Sequence, residues 1–135
     1  MKFWDSSVVV PLLVSEPTTE QISRLLSEDR QMHVWWETEV ECASIVARLE
    51  REGADPRIVE SALARLAMLR DDWNEIAPIS AVRLTAKRFL RLHPLRASDA
   101  LQLAAAFALA DGDPGSVTFV SLDDPLRRAT RLRKL

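Results

Sequence analysis

The sequence predicts an α/β protein in which helices cover both faces of a central, mainly parallel sheet of four to five strands, a three-layer α/β/α sandwich. Short apolar segments alternate with longer segments of helical periodicity, which is typical of βαβ units and therefore of parallel strands. The chain has 135 residues, of which 47% are apolar and 28% are charged. This size and composition predict one soluble globular domain over residues 1–135.

The elements follow in order from apolar runs and their spacing. The predicted strands are Lys2–Asp5, Met32–Trp35, Glu75–Pro78 and Val117–Val120. The predicted helices are Pro17–Ser27, Glu39–Arg51, Asp55–Asp72, Ala81–Leu92, Ser98–Ala110 and Pro125–Leu132. Residues 8–14 predict a short apolar helix or turn.

Local signals set several of these helix boundaries. Pro17 stands where the first position of a helix tolerates proline, and Gly53 is a C-terminal stop. In the helix at 39–51, Val40, Ala43 and Ala47 mark a predicted apolar face.

Several classes of protein are excluded by composition. The longest nearly apolar run, residues 100–110, is far shorter than the roughly 20 residues of a membrane span. The single cysteine, Cys42, allows no internal disulfide, so we expect a reducing cytoplasm. The two histidines, His33 and His93, stand far apart, and no cysteine–histidine cluster offers a zinc site.

Charge is distributed unevenly along the chain. Residues 1–55 carry 5 basic and 11 acidic side chains, whereas residues 56–135 carry 13 basic and 9 acidic ones. Fifteen of the eighteen basic residues are arginines, which suit bidentate contacts to phosphate. This pattern is compatible with a metal centre that handles a polyanion. Mixed solvated helix faces explain it equally well.

Two acidic residues follow predicted strands at the edge where parallel α/β sheets place their sites. Asp5 closes the first strand, and its alternative role is that of a turn residue or a helix cap. Asp123 follows the last strand. Because Asp124 and Pro125 already supply an N-cap and a first helical proline, Asp123 is one acid more than the cap requires.

Two further acids lie in predicted helices and have ordinary alternatives. Glu41 lies on or beside the apolar stripe of its helix, although most helical glutamates are solvated. Asp99 fits a capping box as the N-cap, with Gln102 at the third position. Ser98 fits the cap equally well, which would leave Asp99 in the first turn.

The case for these four acids depends on their meeting at one edge of the sheet. Two carboxylates about 4 Å apart repel by roughly 4 kcal/mol at an effective dielectric constant of about 20. A pocket of four would therefore require a bound cation or protonation. Oxygen ligands without cysteine or histidine favour Mg²⁺ or Mn²⁺. Such an ion polarises a phosphodiester and lowers the pKa of a water nucleophile.

Four segments together resemble PIN-domain toxins of the VapC type. Phe3–Leu12 and Thr38–Arg48 resemble the opening half of these proteins. Arg96–Ala106 and Val117–Asp123 resemble their third and fourth acidic motifs. The resemblance covers nearly the whole chain, in order and with suitable spacing.

This resemblance implies a Mg²⁺- or Mn²⁺-dependent endoribonuclease that acts as the toxin of a type II toxin–antitoxin pair. It further implies a homodimer and a VapB-like antitoxin whose tail enters the acidic groove, with operator DNA bound only through the complex. The implied metal-site acids are Asp5, Glu41, Asp99 and Asp123, and the implied supporting hydroxyls are Ser6 and Ser121. Two departures stand out: Gln102 replaces a histidine common in relatives, and the short C-terminal end leaves a fifth strand open.

Other functions remain open at this point. Arg96 either holds an RNA phosphate or is a solvated loop arginine. A receiver-like phosphoacceptor domain also places acids at strand ends, but Ser6 and Ser7 stand where its second acid is expected. A non-catalytic module that keeps the fold and binds nucleic acid or protein is the second alternative.

Overall fold

A computed structural model describes residues 1–124 together with residues 126, 127 and 129. Its strands are β1 (Lys2–Trp4), β2 (His33–Trp35), β3 (Asn74–Ile76) and β4 (Thr118–Val120). Its helices are α1 (Ser6–Leu13), α2 (Thr19–Glu28), α3 (Thr38–Arg51), α4 (Pro56–Asp72), α5 (Ser80–Leu92) and α6 (Ala97–Ala110). A 3₁₀ turn at Pro114–Ser116 precedes β4.

The four described strands form one sheet in the order β3-β2-β1-β4, and every neighbouring pair is parallel. Phe3 of β1 is in register with His33 on one side and with Phe119 on the other. The predicted α/β/α sandwich with a mainly parallel sheet is therefore confirmed. The described residues contain no fifth strand.

Alternate side chains of the two central strands fill two separate cores. Phe3 and Trp35 belong to the core built with α5 and α6. Trp4 and Val34 belong to the core that includes residues of α1, α2, α3 and α4. Because successive strand residues point to opposite faces, both faces of the sheet are covered.

The helix predictions are confirmed to within about two residues, and residues 8–14 prove to be the main part of helix α1. Helix α3 packs Ala43 against the core as predicted, but its predicted apolar face is wrong at Val40. Its buried residues are Thr38, Cys42 and Val46, spaced four apart, whereas Val40 is 62% exposed. The face of α3 that packs against the core is therefore the one that begins at Thr38. Most of the predicted helix at 125–132 lies outside the described residues.

Gly53 ends α3 as predicted. Its φ of 92° is the left-handed conformation that glycine adopts without steric cost. The N–H of Gly53 donates to the carbonyl of Glu50, and the N–H of Ala54 donates to that of Leu49. This pair of bonds is the Schellman motif, which satisfies the last carbonyls of the helix.

Candidate functional site

The carboxyl ends of β1 and β4 meet at the edge of the sheet where Asp5 and Ser121 lie. The N–H of Asp5 donates to the carbonyl of Val120 at 3.0 Å, which extends the ladder between the two strands by one bond. Asp5 and Ser121 each follow the last residue of their strand. Strand pairing therefore brings together side chains that are 116 residues apart in the sequence.

Asp5 is a buried carboxylate, with 3% of the residue exposed. The hydroxyls of Ser7 and Ser121 donate to the same oxygen, Oδ2, at 2.6 and 2.8 Å. Burial raises the pKa of Asp5 above its ordinary 3.8, the two serine hydrogen bonds oppose this, and the charge of Asp99 adds to it. Although Asp5 occupies the N-cap position of α1, its side chain makes no capping hydrogen bond there.

The two serines also fix the chain that follows β4. The Ser7 hydroxyl accepts from the N–H of Leu122 at 2.9 Å, and the Ser121 hydroxyl accepts from the N–H of Asp123 at 3.0 Å. Ser121 therefore connects the Asp5 carboxylate to the backbone of Asp123. Ser7 was not predicted as a site residue, because nothing in the sequence distinguishes its hydroxyl from that of the neighbouring Ser6.

Glu41 lies in the first turn of α3 and is partly buried. Its Oε1 accepts from Nε2 of Gln102 at 2.9 Å, and its Oε2 accepts from the Ser6 hydroxyl at 3.3 Å. Burial raises the pKa of Glu41 from its ordinary 4.5 to about 7. The charges of Glu37 and Asp5 contribute to this rise, whereas the two hydrogen bonds oppose it.

Gln102 is a site residue that the sequence placed in a different role. Helix α6 begins at Ala97 with Arg96 in the N-cap position, so the predicted capping box of Asp99 and Gln102 is absent. Ser98 is not the cap either. Gln102 is instead 1% exposed, and its Nε2 donates to Thr38 Oγ1 at 3.0 Å as well as to Glu41.

Asp99 lies in the first turn of α6, where the helix dipole favours a negative charge. The Nε of Arg96 donates to its Oδ2 at 3.4 Å. The Asp99 side chain is 14% exposed, whereas that of Arg96 is 83% exposed. Its charge acts on Asp5, which places it at the same edge of the sheet.

Asp123 caps the helical turn that follows it, contrary to prediction. Its carbonyl accepts from the N–H of Arg127 at 2.9 Å, and its Oδ1 accepts a long 3.5 Å bond from the N–H of Leu126. Asp124, the predicted cap, is already helical. An N-cap role is therefore available to Asp123 in addition to any role in a site.

The four acids do not form a ready-made metal site. Within the described part of the chain, no group of three or more carboxylate, imidazole or thiol side chains is arranged to hold a metal ion. The charge of Asp99 acts on Asp5 and that of Asp5 acts on Glu41, and Asp123 is joined to Asp5 through Ser121. Oxygen donors of this kind fit Mg²⁺ or Mn²⁺, and a cation would relieve the repulsion between Asp5 and Glu41, whose pKa values are raised.

Cys42 takes no part in this chemistry. It is fully buried next to Glu41 in the sequence. Burial raises the pKa of its thiol to about 12, and the charges of Glu41, Asp5 and Glu39 add to this effect. The thiol therefore stays protonated and serves packing.

The profile of the PIN-domain family matches residues 2–132. The chain belongs to the PIN-domain family. Its fold is thus a nuclease fold whose members generally use divalent metal ions, and the receiver-like alternative is set aside. No curated protein matches the chain closely enough to be compared. Among the helices of the described residues, none combines the length and apolar character that a membrane crossing requires.

Proposed function

We propose that this PIN domain is a metal-dependent endoribonuclease and the toxin of a type II toxin–antitoxin pair. The observation that carries this proposal is the buried Asp5 carboxylate, held by two serine hydroxyls at the sheet edge where the charges of Glu41 and Asp99 reach it. A buried acid with like-charged neighbours is costly for a protein that does not use it. The domain is proposed to span residues 1–135.

Asp5, Glu41, Asp99 and Asp123 would hold Mg²⁺ or Mn²⁺. When bound, the ion would polarise an RNA phosphodiester and make water a better nucleophile, which explains why the site needs no serine–histidine pair. The residues of the chain supply the rest: Ser7 and Ser121 hold the Asp5 carboxylate, and Ser6 supports Glu41.

Arg96 is proposed to bind the RNA backbone beside these acids. In the structure its guanidinium pairs with Asp99, and the pair lies at the start of α6. A guanidinium that is 83% exposed is also available to pair with a phosphate oxygen. The exposed arginine thus lies beside one of the four proposed metal-site acids.

The proposed partners follow from the resemblance to VapC-type toxins. They are an RNA substrate, a second copy of the chain in a homodimer, and a VapB-like antitoxin whose tail occupies the acidic groove. Operator DNA would be bound only through the toxin–antitoxin complex. A cytoplasmic location agrees with the single cysteine, Cys42, which is buried and forms no disulfide.

Cleavage of a mixed RNA pool in the presence of Mn²⁺ tests the proposal, with Asp5→Asn as the variant. The change keeps the shape of the side chain and removes its charge, so we expect a loss of activity of about 100-fold or more. Asp71→Asn is the matched control, since Asp71 is exposed on α4, away from the sheet edge. We also expect EDTA to abolish cleavage by the wild type.

Two results would favour other functions. Wild-type protein that cleaves no RNA with any divalent ion would favour a non-catalytic module that binds nucleic acid or protein. Cleavage that persists in the Asp5→Asn variant, together with wild-type cleavage that persists in EDTA, would contradict the proposed metal site.

A further inference from the structure

Gln102 is an unusual residue for its position in the core. It lies on α6 between the fully buried Ala100 and Leu103, and it is itself 1% exposed. Its Oε1 is buried and has no hydrogen-bond partner among the described residues. Burying an amide without full hydrogen bonding costs free energy, so packing alone would favour an apolar side chain here.

The amide nitrogen of Gln102 makes the hydrogen bonds that an apolar side chain could not make. Nε2 of Gln102 donates to Thr38 Oγ1 at 3.0 Å and to Glu41 Oε1 at 2.9 Å. Thr38 and Glu41 are three residues apart on α3 and therefore lie on one face of the helix. Since Thr38 is fully buried, its hydroxyl fixes the orientation of the amide and directs the second N–H toward Glu41.

Glu41 would lack a fixed position without this contact. It is partly exposed, and the charges of Glu37 and Asp5 repel its carboxylate. Its remaining side-chain hydrogen bond among the described residues, from Ser6, is long at 3.3 Å. A carboxylate under such repulsion would swing toward solvent, away from Asp5.

We infer that Gln102 is a positioning residue that holds Glu41 at the sheet edge in the orientation needed to share a cation with Asp5. The inference rests on the proposed metal site. The inference also explains why Oε1 of Gln102 is buried without a hydrogen-bond partner among the described residues. An amide is kept at this position because its N–H group donates to Glu41, which an apolar side chain could not do.

Gln102→Met tests the inference, because methionine has a similar shape and no N–H donor. We expect its Mn²⁺ affinity, measured on RNA-free protein by electron paramagnetic resonance, to fall about tenfold, the effect of losing one hydrogen bond to a charged group. Leu103→Met is the matched control for altering a buried side chain of α6, and we expect its affinity to stay within about twofold of the wild type.

A double-mutant cycle separates positioning from a general loss of structure. In a Glu41→Gln background, Gln102→Met should weaken Mn²⁺ binding no further, since its effect passes through Glu41. A fully additive loss, or a wild-type affinity in Gln102→Met alone, would overturn the inference.

A crystal structure of metal-free Gln102→Met decides the same point without metal binding. We expect the Glu41 carboxylate to move away from α6 while the Asp5–Ser121 contact is kept. A Glu41 that stays in place would overturn the inference even if Mn²⁺ binds. Wild-type protein that binds no Mn²⁺ would contradict the proposed function, and the position of Glu41 in the variant would still decide whether Gln102 holds it.

Discussion

The four acids fall into two pairs that are held in different ways. The inner pair, Asp5 and Glu41, accepts hydrogen bonds from side chains of other segments, and both have raised pKa values because of burial. The outer pair, Asp99 and Asp123, lies at the starts of helices, where the N–H groups and the dipole favour an acid.

This difference separates acids that the fold itself favours, Asp99 and Asp123, from acids whose burial the fold opposes, Asp5 and Glu41. A helix start gives Asp99 and Asp123 an ordinary structural reason to be acidic. Asp5 and Glu41 also lie at helix starts, at the N-cap position of α1 and in the first turn of α3, but their burial opposes their ionised forms. The inner pair therefore carries most of the argument for function. Variants that act on one pair and not the other test this distinction.

Ser121→Ala is expected to have the largest effect on stability. It removes a 2.8 Å hydrogen bond from the buried carboxylate of Asp5, which should lower the free energy of unfolding by about 1–3 kcal/mol. Ser6→Ala is the matched control, since its 3.3 Å bond goes to the less buried Glu41 and its loss should cost less than about 1 kcal/mol. Urea unfolding of both metal-free variants at pH 7 measures the difference. Equal losses of unfolding free energy in the two variants would show that the hydrogen bond to Asp5 is no stronger than the one to Glu41.

The stability of the metal-free protein should fall as the pH rises from about 5 to 8. The folded protein holds a proton on Glu41 up to a pKa of about 7, whereas the unfolded chain releases it at the ordinary 4.5. The folded state thus binds more protons in this window, and stability declines through it. The raised pKa of Asp5 acts in the same direction.

Glu41→Gln should reduce the decline in the free energy of unfolding by roughly 1–2 kcal/mol. A fully buried carboxyl would contribute more, but water reaches the partly exposed Glu41 and weakens the effect. Unfolding in EDTA at pH 5.5 and 8 provides the comparison. A variant with the same pH dependence as the wild type would show that Glu41 is fully solvated.

Asp123→Ala should destabilise the protein by about 1 kcal/mol through loss of the N-cap, whereas Asp123→Asn should not, because asparagine caps equally well. Asp123→Asn should nevertheless lose RNA cleavage if its charge serves the metal. Thermal unfolding and the cleavage assay on the same two variants separate capping from chemistry. An active Asp123→Asn would reduce Asp123 to a cap.

Arg96→Ala should have the smallest effect on stability, within about 1 kcal/mol, because its ion pair with Asp99 is exposed on the arginine side. If Arg96 contacts a phosphate, RNA binding should weaken and the dependence of affinity on salt concentration should become shallower. Titration of labelled RNA at several salt concentrations measures both. An unchanged salt dependence would leave Arg96 as a solvated arginine.

The sequence was sufficient for the sheet and for the acids at its strand ends. Apolar runs of strand length located all four described strands, and Asp5 and Asp123 follow the carboxyl ends of β1 and β4, as their positions after apolar runs predicted. Periodicity was insufficient for α3, since Val40 and Cys42 both fit an apolar stripe and only the packed sheet selects the face of Cys42.

Contacts between distant segments account for what the sequence did not predict. Gln102 binds Thr38 and Glu41 across more than sixty residues, and no local pattern distinguishes that role from a capping box. The cap at Asp123 was missed for a different reason. A single-residue shift in the start of a helix is within the usual uncertainty of its boundary.

A wild-type crystal soaked in Mn²⁺ shows whether the four acids bind a metal ion, because anomalous scattering locates the ion itself. We expect an anomalous peak at the carboxyl edge of β1 and β4, bound by the carboxylates of Asp5 and Glu41 and approached by those of Asp99 and Asp123. No peak at saturating Mn²⁺, or a peak that Asp5 does not contact, would contradict the proposed metal site.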